Sequence, residues 1–335
     1  MPDSPALMTV RELKALEPRA GRVFASVLLV RKVTTKTAKN ETSYLSVELG
    51  DKTGAFSFTC FGDSPLFDFF KNLPDSAVVR VEAKTDYYQD RFSPRISRAE
   101  QLSDEELAAP GVLENLIETA PENPEQLWEE LQGFVASLTH PELRAAAQSV
   151  FDDIGEAFKT SPAAVAMHHA YRHGLLEHTV HMARVCRALL PIYPEVDADL
   201  AMAGILLHDI GKTVEYQGTL VTQRSRKGLL QGHVVLGYQL VRRAGLKAKL
   251  AADRLERLEH IILSHQGELE YGAAVMAATP EAVFVSMIDN LDARMGMVQR
   301  ALRLAGPGDE FSERLPGLNA QLLTTKPASP PSCPP

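Results

Sequence analysis

Cysteine is scarce. The 335 residues hold three, Cys60, Cys186 and Cys333, with no CxxC pair and no framework spacing. That excludes a disulfide scaffold and fits a reducing cytoplasm. Long apolar runs are missing as well. No stretch of about 18 apolar residues occurs, so no membrane-spanning helix is expected. The start, MPDSPALMTVRELK, lacks a basic region followed by an apolar one, so no secretory leader is expected. Tryptophan is reduced to Trp128 alone. A surplus of positive charge is also lacking, since the net charge is −8. The charge is uneven, however. Residues 11–100 carry 15 basic and 12 acidic side chains, a net of +3, which leaves −11 for the rest. A mildly basic front and an acidic back suit a nucleic-acid grip joined to a cation-dependent site, although ordinary solvated charge would look the same.

What is present divides in two. Apolar residues make up 45% of the chain, enough for about two domains with sizeable cores. Residues 20–100 are rich in strand signals. TSYLSVELGDKTGAFSFTCFG alternates around a turn at Gly50–Gly54, and AVVRVEAKTDYYQDRFSPRI turns near Gln89-Asp90. About five short strands in some 85 residues predict a small all-β barrel of the OB type over 1–105. Its candidate strand-gripping residues are Lys32, Lys36, Lys39, Phe61, Tyr87, Tyr88, Arg91 and Phe92, although any one aromatic is more often core packing. Acids and prolines over 102–125 read as a connector, extended here as a helical connector over 106–160. Helical periodicity dominates to about residue 305. The end, 306–335, is Pro/Ser-rich and reads as a disordered tail.

All but one of the ten histidines fall between residues 168 and 265. In GLLEHTVHMARVCRALL (174–190), Leu175, Met182, Cys186 and Leu189 form a stripe that includes His178, which therefore points inward, whereas His181 falls on the polar side with Glu177 and Arg184 and points out to solvent. A lone inward histidine is more often a satisfied core residue than a ligand. Here it has company. DLAMAGILLHDIGK ends an apolar helix on His208-Asp209, with Gly211 to let the chain turn and Lys212 beside the pair. His233 opens another helix, His265 continues the stripe Leu255, Leu258, Ile261, and Asp289 follows the apolar run VFVSMI with Asp292 one turn later. An aspartate there calls for a cation or hydrogen-bond partners. Mixed imidazole and carboxylate ligands suit Mn, Fe, Zn or Ni rather than Ca.

The order H…HD…D with HDIGK intact resembles the HD-domain metal-dependent phosphohydrolases. HHAYRHGLLEHT, LLHDIGKT, GHVVLGYQLV, ILSHQGELEYG and IDNLDARM further resemble segments of the YhaM family of 3′→5′ exoribonucleases, over roughly residues 10–305. That family also sets an OB-fold before its HD domain. The resemblance implies an N-terminal OB-fold barrel followed by an all-α HD domain over 161–305. It implies His178, His208, Asp209 and Asp289 around one metal, and His233 and His265 at a second with Asp209 bridging. Asp209 and Lys212 would be catalytic, with Lys212 on the phosphate. His168, His169 and Arg172 would lie near the substrate. Two divalent ions are expected, Mn first, with Fe, Mg, Ni or Co as alternatives. The substrate would be single-stranded RNA, or DNA, cut to nucleoside 5′-monophosphates by a cytoplasmic enzyme, free or as a homo-oligomer. The rivals are an HD phosphohydrolase of free nucleotides or cyclic dinucleotides, and a non-enzymatic single-strand binder. Two departures stand out. Gln266 follows His265 where richer metal sites pair histidines, and no tryptophan lies near Phe61.

Overall fold

The computed structural model describes residues 7–325 except 18–19, 38–40, 75, 110, 165–168, 219 and 307. The expectations for Lys39, His168, Cys333 and the last ten residues lie outside the described residues. The chain separates into two compact units, the first built from residues 1–119 and 218–221, the second from 120–217 and 222–335.

The first unit is an OB-like barrel. Helix α1 (Val10–Lys14) precedes strands β1 (Val23–Thr37), β2 (Ser43–Asp51) and β3 (Gly54–Phe61). Helix α2 (Phe67–Lys71) leads to β4 (Val78–Lys84), the short β5 (Tyr87–Tyr88) and β6 (Arg91–Phe92), and β7 (Arg95–Gln101). Short helices α3 (Asp104–Leu107) and α4 (Val112–Leu116) follow. The main sheet is antiparallel in the order β3-β2-β1-β4-β7. β1 serves both halves: Val23–Leu29 pair with β4, and Leu29–Thr37 pair with β2. A register shift between Val30 and Lys32 bends it, the usual device for coiling a sheet. Strict alternation sends Leu45, Val47 and Leu49 of β2 and Phe56, Phe58 and Cys60 of β3 inward. The other face carries Lys32, Lys36, Tyr44, Thr59 and Phe61 in register. Phe70 of α2 is fully buried, with its ring 5.3 Å from that of Phe58. Gln89 and Asp90, with φ of 49° and 59°, form the expected turn between β5 and β6.

The second unit is helical: α5 (Pro124–Ser137), α6 (Pro141–Thr160), α7 (Gly174–Leu189), α8 (Ala198–Leu207), α9 (Lys212–Glu215), α10 (Arg226–Lys247), α11 (Ala252–Ser264) and α12 (Pro280–Leu304). Strands β8 (Tyr216–Gln217) and β9 (Gln223–Arg224) form one small hairpin. α8 is apolar all round, and Leu200–Leu207 are all buried. It is the central rod, packed against α5, α6, α7, α11 and α12. The connector expected over 106–160 is corrected here. Leu127, Leu131, Phe134 and Val135 of α5, and Leu143, Ala147, Val150 and Phe151 of α6, belong to the main helical core. Their apolar stripes make these two helices part of the body, whose boundary falls at residues 119–120. Trp128 packs edge-on against Phe151 there, at 6.0 Å, under the Lys159 ammonium. In the described part of the tail Ser312 N–H donates to Leu322 O and Leu315 N–H to Ala320 O. Among the described residues no helix is long and apolar enough to cross a membrane.

Candidate metal centre

Four elements deliver histidines to one carboxylate. His178 lies mid-α7, His208 caps the C-terminus of α8, and His265 caps that of α11. His233 needs a special backbone. Inside α10, Gly232 adopts φ 70° and ψ 159°, a region open essentially to glycine, so a new helical segment starts on His233. Gly211 supplies the close approach. A Cβ there would stand 2.0 Å from His233 O and 2.6 Å from Gly237 N. Its φ of −62° is ordinary, so the glycine is required for contact with α10 and not for the turn expected of it.

The result is two pairs of imidazoles on two oxygens. His208 Nε2 lies 3.2 Å and His178 Nε2 3.7 Å from Asp209 Oδ2, and the two nitrogens are 3.2 Å apart. His233 Nε2 and His265 Nε2 each lie 3.5 Å from Asp209 Oδ1. Asp289 Oδ1 is 3.3 Å from His178 Nε2, and the Lys212 ammonium is 2.5 Å from Asp209 Oδ2. Five of the six proposed metal-binding residues thus meet around Asp209, and Asp289 reaches them through His178. His178, His208 and His265 have no exposed surface, and Asp209 has 2%.

On the far side of each ring Nδ1 meets a carbonyl or carboxylate oxygen. His208 Nδ1 donates to Ile205 O and His265 Nδ1 to Ile262 O, both at 2.7 Å. His178 Nδ1 donates to Asp292 Oδ2 at 2.7 Å, and His233 Nδ1 faces Glu215 Oε2 at 3.1 Å. With Nδ1 so engaged, each ring can offer its Nε2 to an ion beside Asp209, His178 once it has given up the proton it carries there, the usual arrangement of metal-binding histidines. Asp209 Oδ1 is buried and has no hydrogen-bond donor among the described residues. Lone pairs turned on a buried carboxylate repel unless a cation lies between them, so the donor set fits a divalent first-row ion.

Burial alone would raise the Asp209 carboxyl, but Lys212 and His208 outweigh it and hold it well below the usual range. Burial likewise opposes the ionised form of Asp289, yet His178 and His208 bring it down to about 2. Burial would lower His178, but Asp289 and Asp292 push it up to about 10. Metal-free His178 is therefore protonated at neutral pH, and a cation must displace the Nε2 proton. The expected outcome is release of about one proton per ion entering this half of the site, with affinity rising up to tenfold per pH unit until about pH 10. Calorimetric Mn²⁺ titration in buffers of different ionisation enthalpy measures it. No proton release would contradict it.

Other expectations change. His169 was assigned to the substrate, but its side chain is fully buried and both ring nitrogens are engaged. Nε2 meets Asp292 Oδ2 at 3.0 Å, and Nδ1 meets Tyr171 OH at 2.9 Å and Glu177 Oε2 at 3.1 Å. It stands behind the ligands and braces Asp292, which braces His178. Arg172 is exposed, beside His173. His181, read as pointing to solvent, is half-buried between Glu122 (2.5 Å) and Asp292 (3.5 Å). Burial lowers its pKa, but these carboxylates outweigh it and raise it. Its helical face is polar because polar groups cover it. Glu122 and Glu130 of the preceding segment also grip Arg184. Sequence reading missed Glu215, Glu177 and Tyr171, and Asp292 carried only its spacing, one turn after Asp289.

On the barrel, Lys36, Tyr87, Tyr88 and Arg91 line one open groove of about 770 Å³, together with Lys14 and Ser57. Lys32 and Phe61 lie on the same sheet face without lining it. Phe61 is 62% exposed and Tyr88 70%. Tyr44, unremarked in the sequence, sits across from Phe61, with ring centroids 6.4 Å apart. Phe92 is corrected: it is buried, edge-on to Phe56 at 5.3 Å, and serves the core. Phe92→Ala is therefore expected to lose about 3–5 kcal/mol of stability, whereas Tyr88→Ala leaves the melting temperature unchanged. Thermal unfolding of the two variants separates the roles.

Residues 175–294 match the HD domain family model. Over 302 residues the chain is 31% identical to the 3′-5′ exoribonuclease YhaM of Shouchella clausii (strain KSM-K16), covering 90% of this chain and 92% of that protein. It is also 31% identical over 288 residues to the protein of the same name from Geobacillus sp. (strain WCH70), covering 86% and 87%.

Proposed function

The chain belongs to the YhaM family of metal-dependent 3′-5′ exoribonucleases, and from that premise we propose that it shortens single-stranded RNA from the 3′ end. It releases nucleoside 5′-monophosphates and works with two divalent ions, Mn²⁺ first among them, in the cytoplasm. The observation that carries this reading is the pairing at Asp209. Two imidazoles face each carboxylate oxygen, and each ring can offer its Nε2 to an ion.

When bound, the divalent ions supply Lewis acidity toward the scissile phosphate and the attacking water. The remaining work falls to the chain's own groups. Asp209 stays ionised because Lys212 and His208 hold it so, and it bridges the two halves. Lys212 keeps a positive charge beside Asp209 Oδ2, where it stabilises the charge that develops on the phosphoryl oxygens. Asp289, whose side chain is 13% exposed, and His233, at 17%, mark the side from which a strand end enters. Lys32, Lys36, Phe61, Tyr88 and Arg91 hold the upstream strand by backbone charge and base stacking, which raises its local concentration at the metal centre. Single-stranded DNA is the companion substrate to test.

The experiment uses chelated protein reconstituted with Mn²⁺ and offered 5′-labelled single-stranded RNA and DNA. A ladder shortening from the 3′ end, faster on RNA, is the expected result. Intact strands alongside hydrolysis of free nucleotides would overturn the reading in favour of a nucleotide phosphohydrolase.

A further inference from the structure

Gln266 directly follows His265, and its side chain lies across the Asp209 Oδ1 half of the site. The amide nitrogen is 3.1 Å from His265 Nε2 and 3.3 Å from His233 Nε2. The His265 nitrogen presents a lone pair because Nδ1 donates to Ile262 O, and the His233 nitrogen presents one when its proton lies on Nδ1, 3.1 Å from Glu215 Oε2. An amide NH₂ has two hydrogens and can donate one to each. It meets both rings as a cation would, but it leaves Asp209 Oδ1 without a donor.

We propose that Gln266 is a built-in competitor for the second ion: its amide caps His233 and His265 and must swing away before a divalent cation can enter between them. Imidazole nitrogens bind first-row cations at about 2.0–2.1 Å, so amide and ion cannot share that space. The exchange satisfies Asp209 Oδ1 but breaks two hydrogen bonds. The second ion is therefore held more weakly than the first and is recruited with a phosphate-bearing strand end. In the first half of the site the His178 and His208 nitrogens meet each other and Lys212 sits on Asp209 Oδ2, and no side-chain amide caps the rings among the described residues. A histidine at this position would add a ligand, whereas the glutamine withholds the site until substrate arrives. Gln266 is only partly buried, so the swing needs no repacking of the core.

This inference rests on the two-ion reading, and the test separates the two. Mn²⁺ binding to the full chain is counted by calorimetry and by electron paramagnetic resonance, which reports spin-coupled pairs. The parent, Gln266→Ala and Gln266→Glu are compared, with melting curves as the check on folding. The parent is expected to bind one tight and one weak ion, and the weak one tightens when a non-cleavable phosphorothioate-ended RNA is added. Gln266→Ala is expected to tighten the second ion roughly ten- to thirtyfold without RNA, the worth of two ordinary hydrogen bonds, and to leave the first ion unchanged. Gln266→Glu, which cannot donate and can ligate, tightens it as well. Weaker second-ion binding in Gln266→Ala would overturn the proposal and make Gln266 a ligand through its carbonyl oxygen. Unchanged binding would overturn it too. If neither parent nor variants take up a second ion under any condition, the two-ion reading falls and this inference falls with it.

Discussion

Asp209→Asn is expected to fold and to release no nucleotides from 3′-labelled RNA above about one-thousandth of the parent rate. Removal of one well-placed electrostatic group from an active site costs about 10²–10³, and Asp209 acts on both halves at once. Its Oδ2 faces His178 and His208, and its Oδ1 faces His233 and His265. Loss of the carboxylate charge therefore weakens both ions together, so metal analysis of the purified variant should find neither in stoichiometric amount. The amide is the informative substitution because Asp209→Ala does more than remove a ligand. It strands the Lys212 ammonium, 93% covered, without the carboxylate now 2.5 Å away. Unpairing a buried charge costs about 3–5 kcal/mol, which would confound activity with folding. The asparagine keeps the volume and a carbonyl oxygen toward Lys212. An Asp209→Asn protein that retained both its metal and its RNA degradation would sink the assignment.

The parts of this centre that were legible in the sequence share one property: each is a polar residue at an apolar position. His178 interrupts a buried stripe, His208 and Asp209 end an apolar helix, and Asp289 follows VFVSMI. Such misfits are readable because burial of the stripe is itself readable from helical period. The supporting groups leave no such mark. Asp292 touches His169, His178 and His181 from another helix, and nothing in the spacing of α7 or α12 states that the two helices cross there. His181 was misread for the complementary reason. Its neighbours Glu177 and Arg184 make that face polar, and a polar face was equated with solvent, whereas Glu122 covers it with matching charge. The barrel was legible because alternation in β2 and β3 is strict and their turn is tight. The fate of 106–160 was not. An acidic, proline-bearing start masks amphipathic helices whose stripes find their partners only in the folded core.

Gly211→Ala is expected to lower the melting temperature by roughly 5–10 °C and to cost the protein one ion but not both. The backbone at Gly211 is ordinary α-helical, so alanine meets no conformational penalty and the whole effect is steric. The new methyl would sit 2.0 Å from His233 O, 2.6 Å from Gly237 N and 2.9 Å from His233 C. These are backbone atoms, which cannot rotate aside, so α10 must withdraw from the turn that carries Asp209. Overpacking of this kind costs about 1–3 kcal/mol, and more where a helix must move. His233 travels with α10, and its Nε2 leaves Asp209 Oδ1. His178 and His208 stand on α7 and α8, which do not depend on this contact, so their half keeps its ion. RNA turnover should fall at least a hundredfold while one Mn²⁺ per chain remains. Gly232→Ala provides the contrast. A Cβ there meets nothing within 4 Å, so its cost is the strain of φ 70° and ψ 159° at the start of the His233 segment. If Gly211→Ala melted with the parent and still bound two ions, the close approach of α10 would not be what sets His233 against Asp209.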